Sequence, residues 1–143
     1  MATAIYSNLI GQILAIIQGV ASIKKIYSYP ESKITQYPAV IFLPVDFENS
    51  FETTKENKKI YRFKMWVLLQ ANQSNLETIF GTELPKRVDE ILEAFDAGWS
   101  MTAIAGHRAW MKIDSGEWGN DTDGKGFIVY AQFNIDIQLL TSN

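Results

Sequence analysis

The sequence contains no cysteine and a single histidine, His107. That removes a disulfide framework, a thiol nucleophile and a thiolate metal site, and leaves no material for a histidine-rich metal centre. Basic charge is also short. Thirteen Lys and Arg stand against 16 Asp and Glu, a net charge of −3. A dedicated nucleic-acid binder neutralises phosphates with a marked basic excess, so sequence-specific nucleic-acid binding is not expected. Long hydrophobic runs are missing too: residues 5–20 are mostly apolar, but Asn8, Gln12 and Gln18 interrupt them, and a span needs about 20 apolar residues. The same stretch lacks the basic flank of a secretory signal. The expectation is cytosolic production without membrane anchoring. No repeat, low-complexity tract or long linker divides the 143 residues, which read as a single domain.

What the chain has is apolar bulk. Hydrophobic residues make up 47%, with 8 Phe, 6 Tyr and 4 Trp. In residues 5–20, Ile5, Leu9, Ile13, Ile16, Ile17 and Val20 recur at helical spacing and predict an amphipathic helix. Residues 25–29 read as a short strand closed by Pro30. Residues 37–44 are a continuous apolar run with a proline near each end, a strand whose ladder is bounded there. Residues 46–59 are polar and charged and predict a protruding hairpin or a long loop. From 60 to 69, Tyr61, Phe63, Met65, Val67 and Leu69 alternate against Arg62 and Lys64, the period of a half-buried strand.

Ser74-Asn75-Leu76-Glu77 has the spacing of a capping box. Leu76, Phe80, Leu84, Val88, Ile91, Leu92 and Phe95 then continue at helical spacing, with Gly81 and Pro85 expected to kink or split the helix and Gly98 to stop it. Residues 108–118 and 127–140 read as two further strands joined by a polar turn over 119–126. The order predicts an α+β fold: a mainly antiparallel sheet of four to five strands packed against two helices.

Chemical motifs do not survive inspection. Residues 119–126 meet the spacing of a phosphate loop, but Gly126 stands where Ser or Thr would hold magnesium, and a strand follows instead of a helix. The same loop resembles part of a calcium loop through Asp121, Asp123 and Gly124. Gly119 and Tyr130 then occupy the positions of essential ligands, so no metal site is expected. His107 has no neighbouring nucleophile or carboxylate and no nucleophile elbow exists. Glu90 and Glu93 share a helix face with Lys86, as surface charges do. No catalytic residue and no cofactor is expected.

The remaining signal is surplus apolar surface. Ile60, Trp66 and Leu68 share the strand face of Arg62 and Lys64, and Tyr130 stands opposite the main apolar face of the last strand; Trp110 and Trp118 add further rings. If both helices cover one sheet face, these six residues form a candidate subunit interface; if the helices flank both faces, they are core. Glu48, Phe51, Lys55, Lys58 and Lys59, in the polar stretch, form a candidate contact loop toward a neighbour.

The N-terminal helix, the proline-bounded strand at 37–44, the alternating Arg62-Phe63-Lys64-Met65-Trp66-Val67, the helix at 84–95 and the closing strand at 129–139 together resemble the tail terminator and tail-completion (head–tail joining) proteins of long-tailed bacteriophages. The likeness lies in element order and patterning. It implies a structural virion protein, assembled in the bacterial host cytoplasm, that forms a ring, typically a hexamer, at the head-proximal end of the tail. Its partners would be further copies of itself, the tail tube protein and a head-connector or neck protein. The alternatives are a neck or head-completion protein, or a small partner- or ligand-binding domain of a bacterial host.

Overall fold

The computed structural model describes residues 5–29, 34–51, 56–104, 107–122 and 127–142. The N-terminal stripe forms α1 (Ile5–Gln18), which buries Leu9, Ile13 and Ile17. Strands β1 (Lys25–Tyr27), β2 (Ala39–Phe51) and β3 (Glu56–Ala71) follow. A helical segment then runs through α2 (Leu76–Thr78), a five-residue π turn (Ile79–Glu83) and α3 (Leu84–Ala97). Strands β4 (Ser100–Ile104), β5 (His107–Thr122) and β6 (Phe127–Ser142) complete the order.

All six strands lie in one sheet, ordered β1-β2-β3-β6-β5-β4. The class is α+β, and the sheet is larger and more mixed than the four to five mainly antiparallel strands expected. The β1–β2 pair is parallel, with Lys25 opposite Ala39, and the amide of Lys24 donates to the Pro38 carbonyl at 2.8 Å where the chain returns. The sixth strand is β4, only five residues long. Its pairing to β5 is reinforced from the helix layer: the Gln12 side chain accepts from the Thr102 amide at 3.0 Å and donates to its carbonyl at 3.1 Å. A side-chain amide thus stands in for a neighbouring strand.

Both helical segments pack on one face of the sheet. Val40 and Phe42 of β2, Phe63, Met65 and Val67 of β3, Met111 of β5 and alternate residues 129–139 of β6 meet Leu9, Ile13, Ile17, Leu84, Val88, Ile91 and Phe95 in a single cluster. Each such side chain contributes about 1.5–3 kcal/mol by leaving water. No polar residue is buried among the described residues. At Gly98, where α3 ends, an added Cβ would sit 2.9 Å from Ile16 Cδ1, so the glycine lets α1 approach.

One local expectation is corrected and one open choice is resolved. Asn75 occupies the cap position of α2 without a side-chain cap bond. Asn72 Oδ1 instead accepts from the amides of Ser74 and Asn75, so an Asx turn replaces the capping box. Of the two readings of the segment 46–59, a hairpin or a long loop, the structure forms the hairpin. Within it β2 and β3 stay paired from Asp46–Arg62 to Phe51–Asn57, and β6 flanks β3 to Glu56–Ser142. The hairpin is therefore an extension of the sheet beyond the helix layer.

Candidate subunit interface

Because the helices occupy one face, alternate residues of the long strands point to the other, which no described element covers. Register sorts that face into rows. One row runs Ala39, Leu68, Tyr130, Gly119, and the next runs Ile41, Trp66, Gln132, Glu117. Trp66, Leu68 and Tyr130, singled out from sequence, are thus neighbours in one half-buried apolar patch. A second apolar group lies at the far end, in the row Glu48, Ile60, Gln138, Trp110. The rows of Trp66 and Ile60 are six residues apart along β3, about 20 Å at ~3.4 Å per residue.

A polar belt separates the two groups. Arg62 bonds Asp46 at 2.8 Å and Glu48 at 3.1 Å, with Asp136 at 3.9 Å on its other side. The hydrogen bond to Asp46, then that to Glu48, raises the guanidinium pKa above its already high ordinary value. Beside it, Asn134 donates to Ser115 at 2.9 Å. Large apolar groups broken by a fixed polar strip are the texture of a protein contact, which mixes both kinds of surface. Arg108 lies 5.4 Å over the Trp110 ring, and Trp99 and Trp110 line a shallow cleft of about 230 Å³ at this end.

Trp118 does not join the others. A bulge between Ile113 and Ser115 shifts the register of β5, so Trp118 pairs with Ala131 and lies on the helix side, 52% exposed. Of the candidate loop, Glu48 is held by Arg62, and Lys59 lies on the helix side, donating to Asn49 at 2.9 Å. Lys58 pairs with Ser50 on the outer face. Phe51 pairs in the backbone with Asn57, and Lys55 lies outside the described residues. Ile41 and Leu43, which sit on the outer face beside Trp66 and Lys64, were not foreseen. Their run is apolar on both sides, which reads as a strand buried on both faces.

Among the described residues no group of three His, Asp or Glu is placed to hold a metal ion, and no helix is long and apolar enough to cross a membrane. Glu90 is engaged by Arg87 at 3.3 Å and Ser22 at 2.6 Å. Positions 123–126 of the loop weighed for phosphate or calcium lie outside the described residues, and residues 119–122 continue β5. A scan against protein-family models and a search of curated proteins both return no match.

Proposed function

We propose that this chain is a structural virion protein, a ring-forming tail terminator that caps the head-proximal end of a phage tail tube, stops its polymerisation and offers a surface for head joining. The observation that carries the reading is the one-sided sheet. Both helical segments cover one face, and the other presents Ile41, Trp66, Leu68 and Tyr130 at one end and Ile60 and Trp110 at the other. A ring of identical subunits needs two different patches per copy that meet head to tail. An outer face with apolar groups and a bare sheet edge supply such a pair. The element order, with a helix before the sheet and a helix before the closing hairpin, agrees with the resemblance to tail terminators.

Negative-stain microscopy of the purified chain tests this most directly, with a ring around a central hole as the expected image. A monomer by light scattering at high concentration, together with no binding to tail tube protein, would sink the reading. Phenotype separates it from a neck protein: loss of a terminator gives over-long or headless tails, whereas loss of a neck protein leaves tails of normal length unattached.

A further inference from the structure

Among the described residues the sheet has four edge segments, two of them on the short end strands β1 and β4. β1 shields β2 only over Ala39–Ile41, and Gln12 satisfies Thr102 on the outer side of β4. Besides these short end strands, β2 after Ile41 and β5 after Met111 have a strand neighbour on one side only among the described residues. Residue 51 of β2 pairs near the start of β3, and residue 122 of β5 pairs with the start of β6, opposite the end of β3. The two bare edges therefore lie on opposite sides and at opposite ends of the sheet. Each carries a bulge, at Val45 and at Asp114, and bulges oppose a continuous ladder between sheets. Side chains, rather than backbone, are left to make a contact.

One edge carries a knob and the other a hole. Phe47 is 75% exposed, above every other large hydrophobic residue described, and is backed by the Tyr61 ring at 6.5 Å. It pairs with Tyr61 on the helix side of the sheet, beside the bulged Val45. On the β5 edge, also on the helix side, a groove of about 260 Å³ opens between α3 and the bulge, lined by Val88, Leu92, Ile113, Trp118 and Phe133. Gly116, which projects no side chain, also lines the groove. An apolar cavity of about 150 Å³ suffices to hold benzene, so a benzyl group fits. Charge agrees: Lys59 is on the face of Phe47, whereas Asp114, at the bulge, lines the groove.

We propose that Phe47 of one copy docks in the groove between α3 and β5 of the next copy, with Lys59 facing Asp114. The contact is heterologous, since knob and hole sit on different edges, so it propagates from copy to copy as a ring requires. This inference rests on the self-association proposed above and adds the residues that would make it.

Sedimentation velocity of the full chain tests it with Phe47→Ser, Trp118→Ala and Asp114→Lys. All three positions are exposed, so melting temperatures should stay near wild type, and Asp114→Lys covers the case in which Trp118→Ala unfolds. The wild type is expected as a multimer, and Phe47→Ser and each folded groove variant as monomers, a loss of roughly 30-fold or more in contact affinity, the size of a hot-spot truncation. An equimolar mixture of Phe47→Ser with a groove variant keeps one intact knob and one intact hole, and should give a heterodimer that grows no further. A wild-type multimer that persists in Phe47→Ser overturns this contact and leaves the ring reading standing. Monomeric variants whose mixture stays monomeric overturn the head-to-tail pairing. A monomeric wild type overturns both proposals.

Discussion

Gly116 and Gly119 on β5 both abut β6, yet they should answer differently to an added methyl group. At Gly116 a Cβ would collide with the Gln132 carbonyl oxygen, a backbone atom held in the ladder. Gly116→Ala is therefore expected to cost about 1–3 kcal/mol, the usual penalty for overpacking, read as a lower urea midpoint. At Gly119 the obstacle is the Tyr130 ring, 2.5 Å from the same added atom. A ring can swing, so Gly119→Ala should cost less than about 1 kcal/mol while moving Tyr130, seen as a change in the near-ultraviolet circular dichroism. Arg62 poses a different question, because it bonds Asp46 and Glu48 and lies near Asp136. Arg62→Gln leaves those carboxylates to repel one another. The melting temperature should fall at low salt, and the gap to wild type should narrow at about 1 M salt, where screening acts within ~3 Å. Equal losses at both salt levels would assign Arg62 a packing role instead.

At the scale of elements, the helix layer should be the energetic centre. Ile13 is fully buried in the middle of α1, so Ile13→Ala is expected to cost about 2–5 kcal/mol in chemical denaturation. That layer was legible because its signal is periodic: Leu9, Ile13 and Ile17 repeat at helical spacing, and β3 and β6 alternate strictly. Elements set by partners were harder to read. β4 is five residues whose outer edge is satisfied by Gln12, ninety positions away, and nothing local announces it. The polar stretch 46–59 fits a hairpin or a loop alike, and cross-strand pairs such as Asp46–Arg62 and Asn49–Lys59 decide for the hairpin by sustaining a ladder there. The bulge at Asp114 is the costliest omission. Trp110 and Trp118 share parity in sequence, but one inserted residue sends them to opposite faces. Five of the six candidate interface residues therefore share a face, and the sixth belongs to a groove that alternation alone could not reveal.

For the whole molecule, the question is whether the uncovered face works in water or against another chain. In an isolated subunit Trp66 is half-buried among Ile41, Leu68 and Gln132 and open on its outward side. A lysine there can extend its charge into solvent, so Trp66→Lys should fold and melt near the wild-type temperature. If the face is a subunit contact, the same charge would be taken out of water, which is strongly unfavourable. The expected outcome is a folded variant that fails to self-associate by light scattering. Asp46, Glu48 and Asp136 cannot rescue it, because Arg62 already engages them two rows away. A Trp66→Lys protein that assembles normally would place the outer face in solvent and leave assembly to the sheet edges. Loss of assembly in both Trp66→Lys and Phe47→Ser, with folding intact in each, would instead mean that face and edge act together. Two sites far apart on one subunit would then both be required, as expected of a closed ring in which every copy is gripped on two sides.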